Sequence, residues 1–455
     1  MLEPLHLGLE RCVRASAPIL VRLADFVPRG TVRHLSKVKL GHTLRHVWRN
    51  APVQRERWQA AGITASDLHS PDVLPHIPFT TGRDVAERPD DFVCVPREKL
   101  AHTLTTSGTT GHAKKIYLTD GDLARETRMI GTHLRRFRGA SRAMVMVLVR
   151  GTSWSAGAVM QRSFRAGGFP VIVAGNELPV PEQVDLIRRH RINTIFAGSS
   201  YVHRFLFESD VDLRSLGVRY LHLGGQPFTE GFRAELESAW GAKVIDAYGL
   251  AEFAYGVAGE CHLQDGLHIT DVDYYVEIID ATSGSPVDDG VEGEVVITTL
   301  SRVGMPLVRY RTGDVASLYP EGRRCPCGLP LRRMSRVRGR LDDVLFMGSA
   351  NIYPDEIDRA VLAVPGVSDY QLVVEKDDYK DVLNLTVETD DDAEHLRERL
   401  VDALKTVDYI RILHDIGKVL TFGRMSAVDR GTLSRGRPKS VRIIDRREEV
   451  PARAH

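Results

Sequence analysis

The run Thr105-Thr106-Ser107-Gly108-Thr109-Thr110-Gly111-His112-Ala113-Lys114-Lys115 sets two glycines three residues apart among Ser and Thr side chains and closes on two lysines. Glycine lets the backbone turn with successive N–H groups pointing inward, which makes an anion-binding concavity. The hydroxyls add donors for phosphate oxygens. The run therefore reads as a loop that handles a nucleotide polyphosphate. It is not a Walker A loop, which places four residues between its first glycine and Gly-Lys-Ser/Thr. Counted from Gly108, that second glycine falls on Ala113.

Outward from the loop the chain alternates between two periodicities. Residues 120–138 have the length and charge of a helix, and 143–149 (Ala-Met-Val-Met-Val-Leu-Val) form a short apolar run typical of a buried strand. Strand-like segments follow at 167–173, 192–196, 220–223 and 243–246, with helical segments at 181–190, 201–208 and 229–240 between them. This alternation predicts an α/β domain with a mostly parallel sheet, whose ligands sit beyond the carboxyl ends of the strands. From about 267 the pattern turns β-rich, with strands expected at 274–279, 293–298 and 307–310 in a small barrel or curled sheet. After 342 a third pattern begins: a strand at 344–347, a helix at 355–364, then further strands around a helix at 391–407. That last helix carries an apolar stripe at 396, 400, 401 and 404 and a capping-box spacing of Asp391 and Glu394. The expected fold class is thus α/β: a large N-terminal core (1–341, with a β-rich subdomain at about 267–340) and a small C-terminal α+β lid (342–455).

Composition sets the outer bounds. A chain of 455 residues exceeds one ordinary core. With 61 basic against 60 acidic residues and a net charge of +1, it offers nucleic acid no electrostatic footprint. No apolar run approaches the roughly 20 residues that span a bilayer. The N-terminal 30 residues read as amphipathic helix rather than a targeting peptide. The five cysteines (Cys12, Cys94, Cys261, Cys325 and Cys327) form no disulfide framework, so a reducing cytoplasm is expected.

Four further motifs follow the loop in order: Tyr248-Gly249-Leu250-Ala251-Glu252, Tyr310-Arg311-Thr312-Gly313-Asp314, Gly339-Arg340-Leu341-Asp342-Asp343, and Lys439 near the C-terminus. With this set the chain resembles the adenylate-forming superfamily of acyl-CoA synthetases, luciferases and peptide-synthetase adenylation domains. It is most similar to the phenylacetate–CoA ligase branch, through Pro78-Phe79-Thr80-Thr81, Gly266-Leu267-His268-Ile269, Cys325-Pro326-Cys327-Gly328 and Asn351-Ile352-Tyr353-Pro354-Asp355-Glu356-Ile357. The resemblance runs from about 40 to 447.

The resemblance implies roles by position. Thr106, Ser107, Gly108, Thr109, Thr110 and Gly111 would hold the β- and γ-phosphates of ATP. Gly224, Gly225 and Gln226 would line the adenine and acyl pocket, with Asp246, Ala247, Tyr248 and Gly249 on the nucleotide side and Tyr248 near the adenine. Glu252 would hold Mg²⁺. Asp314 would accept both ribose hydroxyls, assisted by Arg340. Asp342 would be the hinge of the lid, and Lys439 would reach the reacting carboxylate and α-phosphate. Trp154, Ala156, Ala197, Ser199 and Tyr201 would surround the acyl group. Their mix of aromatic and small side chains favours a flat, moderately sized acid such as an aryl or arylacetic acid. Cys261, His268, Cys325 and Cys327 could form a structural Cys₃His zinc site, or stand as buried thiols. Implied partners are a carboxylic acid, CoA or a carrier protein, and a second copy of the chain, with neither nucleic acid nor membrane.

The sequence also departs from the family pattern. His112-Ala113 replace a usual Lys-Pro, leaving Lys114 or Lys115 to supply the charge. Ala251 stands where Thr or Ser is common, Gln226 where Glu is frequent, and Pro438 where Gly commonly precedes the lysine. Three functions fit the residues: a ligase making an acyl-adenylate and then a CoA thioester, an adenylating enzyme with another acceptor, and a non-catalytic nucleotide binder. Retention of Glu252, Asp314 and Lys439 argues against the third.

Overall fold

The computed structural model describes residues 28–105, 114–135, 143–149, 155–175, 178–225, 227–341, 345–347, 350–377, 380–390, 396–416, 418–433 and 442–447. The chain divides into two compact units, one of Met1–Gln226 with Leu236–Val337, the other of Pro227–Glu235 with Arg338–His455.

The first unit opens with a 22-residue helix, Arg29–Asn50. An antiparallel pair follows, β1 (His102–Thr105) with β2 (Lys115–Leu118). Strands β3 (Val145–Leu148), β4 (Val171–Ala174), β5 (Thr194–Ala197), β6 (Tyr220–Gly224) and β7 (Lys243–Tyr248) pair in parallel. All four residues of β3 are buried, as expected of a strand covered on both faces. Helices Ser155–Ala166, Val180–His190 and Glu230–Trp240 separate the strands along the sequence. Val180–His190 shows why such segments are helical: proline stands in its first turn, Arg188, Arg189 and His190 complement the dipole in its last, and Val180, Val184 and Ile187 are buried on one stripe.

The β-rich stretch is divided between two sheets. Strands β8 (Ala258–Glu260) and β9 (Leu267–Ile269) extend the parallel sheet antiparallel, so it carries eight strands in the order β13-β9-β8-β7-β6-β5-β3-β4, where β13 is Arg333–Met334. Strands β10 (Tyr274–Ile279), β11 (Glu292–Thr299) and β12 (Tyr310–Ser317) form a separate antiparallel ladder. The apolar run at 307–310 is not itself a strand. It ends where β12 begins, and β12 is a polar sequence held in place by its partner. Phe253 is fully buried, with the rings of Tyr274 and Tyr310 edge-on at 5.6 and 5.7 Å.

In the second unit, β14 (Gly339–Arg340) precedes a hairpin of β15 (Leu345–Met347) and β16 (Ala350–Ile352) and the helix Pro354–Leu362. Strands β17 (Val367–Asp377), β18 (Lys380–Thr389), β19 (Leu420–Val428) and β20 (Ile443–Asp445) make a sheet in the order β19-β18-β17-β20. The described part of the expected 391–407 helix is Leu396–Lys405, and its stripe Leu396, Leu400 and Leu404 is buried against Tyr370, Leu372 and Leu385.

Candidate active site

Parallel pairing brings the expected pocket residues together at the carboxyl ends of three strands. Ala197 ends β5 opposite Leu223 of β6, and Leu223 and Gly224 pair with Asp246 and Ala247 of β7. Gly225 follows at φ +82°, a turn that favours glycine. Ser199 and Tyr201 lie on the short helix Ser199–His203, and Ala156 on Ser155–Ala166. Gly249 is required by close approach: a Cβ there would stand 2.3 Å from the backbone carbonyl carbon and oxygen of Tyr255. Arg340 lies on β14 of the second unit. Thr106 to Gly111, Trp154, Gln226, Asp342 and Lys439 lie outside the described residues.

Asp314 owes its place to an irregularity in β12. Between the register pairs Glu294–Val315 and Val296–Arg311, one residue of β11 (Val295) faces three of β12 (Thr312, Gly313 and Asp314). Gly313 takes φ +75° there, and bulges of this kind re-aim side chains beside functional sites. The buried Glu294 carboxylate fixes the bulge, accepting from Gly313 N–H at 3.1 Å and from the Arg311 guanidinium, whose Nε is 2.7 Å away. Asp314 N–H donates to Thr312 Oγ1 at 3.0 Å. Tyr248 Oη donates to Asp314 Oδ2 at 2.7 Å, which joins the ends of the Tyr248 and Asp314 motifs. Burial, then the Asp314 charge, pushes the Tyr248 phenol well up, so it remains a donor. Asp246 is likewise held: its N–H donates to Glu260 and its Oδ2 is 2.7 Å from Arg336 Nε.

Glu252 stands on the short turn Ala251–Phe253 and is only 2% exposed. Its Oε1 receives Lys114 Nζ at 2.6 Å and Tyr310 Oη at 2.7 Å, and Lys114 also reaches Tyr310 Oη at 3.0 Å. Burial alone would raise the carboxyl, but the Lys114 ammonium and the Tyr310 hydroxyl outweigh it and hold Glu252 below the usual carboxylate range. The Lys114 ammonium is thus paired directly with this carboxylate. Of the two lysines after the loop, Lys114 turns inward while Lys115 is exposed on β2. Sequence reading missed Tyr310, Glu294 and Arg336 as functional neighbours. Tyr310 opens the Tyr310–Asp314 motif itself, and that position could have signalled it.

Cys261, His268, Cys325 and Cys327 offer one ligand atom each, all within 4.8 Å of one another. Cys261 Sγ and Cys325 Sγ are 3.7 Å apart, and Cys327 Sγ and His268 Nε2 are 3.4 Å apart. Tetrahedral donors on an ion with metal–sulfur bonds of about 2.3 Å stand about 3.7 Å apart, so the spacing fits a four-coordinate metal and leaves no position for a reactant. The Cys327 thiol and the neighbouring His268 stabilise a Cys261 thiolate and hold it well below the ordinary thiol range. The cluster places Cys261, just after β8, and His268 of β9 beside the 325–327 turn.

With this geometry in place, the comparisons assign the chain. The profile of the AMP-binding enzyme family matches residues 15–301, and that of the AMP-binding enzyme C-terminal domain matches 349–447. The chain belongs to the AMP-binding enzyme family. It is 30% identical over 427 residues to a phenylacetate-coenzyme A ligase of Aromatoleum evansii, covering 91% of this chain and 94% of that protein. A phenylacetate-coenzyme A ligase of Thermus thermophilus is 31% identical over 372 residues, covering 80% and 83%. Among solved structures, a 2-hydroxyisobutyryl-CoA ligase in its postadenylation state matches with a TM-score of 0.80 over 94% of this chain and 92% of its own, at 21% identity, a likeness of fold. Among the described residues no helix is long and apolar enough to cross a membrane.

Proposed function

We propose that this enzyme activates a carboxylic acid with ATP, releasing pyrophosphate and forming an acyl-adenylate, and then passes the acyl group to CoA. The observation that carries this reading is the buried Lys114–Glu252–Tyr310 knot, one turn beyond Tyr248 and its bond to Asp314. The first step brings a carboxylate onto the α-phosphate, anion to anion, so cations must stand where charge accumulates. Glu252 would hold Mg²⁺, which neutralises polyphosphate charge when bound. Asp314 would accept the ribose hydroxyls, its carboxylate oriented by the Tyr248 hydroxyl. Gly224, Gly225, Ala247 and Gly249 keep the strand ends bare of side chains, so backbone can approach the nucleotide and acyl group. Lys439 would place its ammonium against the reacting oxygens, with Asp342 the pivot of the unit that carries it.

The acid favoured is aryl or arylacetic. Support comes from the phenylacetate-coenzyme A ligases at about 30% identity, from Phe196 next to the last residue of β5 and from Tyr201 on the helix after it. The test is pyrophosphate release with aryl, arylacetic and short aliphatic acids, each with and without CoA. Release with aromatic acids and a CoA thioester product is expected. Release with no thioester would redirect the second step to a carrier protein or an amine. No release with any acid would overturn the reading.

Two residue-level outcomes follow. Asp314→Ala removes charge-assisted hydrogen bonds worth about 1.5–3 kcal/mol. The KM for ATP should rise about 10- to 100-fold with the acid KM little changed, and steady-state kinetics checks this. The Cys261, His268, Cys325 and Cys327 set would hold zinc, in a structural role. Metal analysis should return one zinc per chain. Stripping it under denaturant-free conditions, or Cys325→Ser, should lower the Tm on the order of 5–10 °C. Metal-free protein of unchanged Tm would leave the four as plain buried side chains.

A further inference from the structure

The segment Pro78-Phe79-Thr80-Thr81 and the glycine after it have no part in the chemistry above, yet they are built against it. Thr80, buried, forms a parallel bridge with Tyr310. Its N–H donates to Arg309 C=O at 3.0 Å and its C=O accepts from Arg311 N–H at 2.9 Å, so residue 80 brackets Tyr310 at the start of β12. Its hydroxyl donates to Val308 C=O at 2.8 Å. Arg309 takes φ +48°, a left-handed conformation that a residue with a side chain keeps only where its surroundings hold it. Here they do: the buried guanidinium donates to Pro75 C=O at 2.7 Å and Ile77 C=O at 2.9 Å, and stands over the Phe79 ring at 4.0 Å.

Thr81 then caps the short helix Gly82–Glu87 in a reciprocal pair with Asp84: Thr81 N–H donates to Asp84 Oδ2 at 2.9 Å and Asp84 N–H to Thr81 Oγ1 at 3.1 Å. That turn sets Gly82 against the Lys114–Glu252–Tyr310 knot. A Cβ at Gly82 would stand 3.3 Å from Lys114 Nζ and 3.3 Å from Tyr310 Oη, the two groups that donate to Glu252 Oε1. Gly82 does not turn at positive φ, so its backbone does not ask for glycine. In a helix glycine is less stable than alanine. What the position requires is the space a side chain would fill. Lys114, Tyr310 and Tyr248 are the titratable groups interacting with Glu252, and Arg83, beside Gly82, is drawn outward to Glu87 at 2.7 Å.

We propose that Gly82 is a positioning residue for Glu252: held against the knot by the Thr80 bridge and the Thr81 cap, it keeps bare the space in which Lys114 and Tyr310 meet the carboxylate. The kinetic half of this rests on the reading above that adenylation uses an ionised Glu252. The test compares Gly82→Val, Gly82→Ala, Lys114→Met and the Gly82→Val, Lys114→Met double variant in the full-length enzyme. Pyrophosphate formation and Tm are both followed from the acid range to neutrality. Crowding Lys114 off Glu252 leaves burial to raise the carboxyl. Gly82→Val should therefore lower first-step kcat about 10- to 100-fold and lose more rate as the pH falls. Its Tm should lie nearest the parent's at low pH and furthest from it at neutral pH. Gly82→Ala, which asks each neighbour to give only slightly, should show the same changes more weakly. In the Lys114→Met background Gly82→Val should cost little further, because the cation to be displaced is gone. A loss equal at every pH, or equal with and without Lys114, marks mere packing and overturns the proposal, as does parent-like behaviour of Gly82→Val. Should Glu252→Gln itself sustain pyrophosphate formation, the functional reading fails. The Tm–pH curves still decide the positioning, since parallel curves for Gly82→Val and the parent would show that the bare position guards nothing. If Gly82→Val does not fold, Gly82→Ala carries both measurements.

Discussion

Lys439→Ala is expected to lower pyrophosphate formation from ATP and acid by about 10²- to 10³-fold, the usual loss when one preorganised charge is removed from a developing oxyanion. Attack of a carboxylate on the α-phosphate moves negative charge onto oxygens that start out anionic. A mobile cation in water is screened and must reorganise, whereas an ammonium fixed in a dry cleft is not and need not. Methylene-truncated or neutral substitutes at 439 should therefore fail alike, and arginine should restore little, because its planar fork is longer and differently directed. Acid binding should change far less than turnover, since in the proposed role the lysine acts on charge that appears only in the transition state. The second half-reaction, begun from synthetic acyl-adenylate and CoA, should retain most of its rate. First-step kinetics of the alanine variant within a factor of about three of the parent would remove Lys439 from the chemistry.

The parallel sheet and the motif-bearing strand ends were legible because both depend on local sequence. A run such as Val145 to Leu148 can only be a buried strand, and Tyr248, Glu252 and Asp314 carry their types at fixed spacing. What escaped depends on partners distant in the chain. β12 contains Arg311, Gly313 and Asp314, poor strand formers by composition. It is a strand because β11 presents Glu294 to the bulge, and no window of sequence contains both. The run 307–310 looked more strand-like for its apolar side chains, yet Leu307 and Val308 are buried without a strand of their own. Lys114 could be offered only as one of two lysines that might supply charge; its carboxylate partner lies 138 residues away. Cys261, His268, Cys325 and Cys327 could be offered as a set because few residue types make such donors, and their four ligand atoms lie within 4.8 Å of one another.

That Lys114–Glu252 pair yields the second large effect. Lys114→Met should leave the Glu252 carboxylate buried without its cation, a change that costs about 3–5 kcal/mol when a buried pair loses one member. With Lys114 present, the folded-state pKa of Glu252 lies below its unfolded value, so the pair's stabilisation is complete above the ordinary carboxylate pKa and fades only as pH falls through the depressed one. Without Lys114, burial becomes the dominant influence and the sign inverts. Glu252 then titrates above its unfolded pKa, its ionisation destabilises the fold, and stability is lost as pH rises past the ordinary carboxylate range. The variant should thus be nearest the parent in Tm at low pH and furthest from it at neutral pH. If Glu252 holds the metal as proposed, the adenylation rate of the variant should acquire an acid limb that the parent lacks over the same interval. Adding Glu252→Gln to Lys114→Met should recover most of the lost Tm while abolishing adenylation, since a neutral amide bonded to Tyr310 Oη leaves no buried charge but can hold no metal. Thermal unfolding across pH for the four proteins of this cycle tests the pair directly. Parallel Tm–pH curves for the parent and Lys114→Met would mean that the ammonium does not set the charge of Glu252.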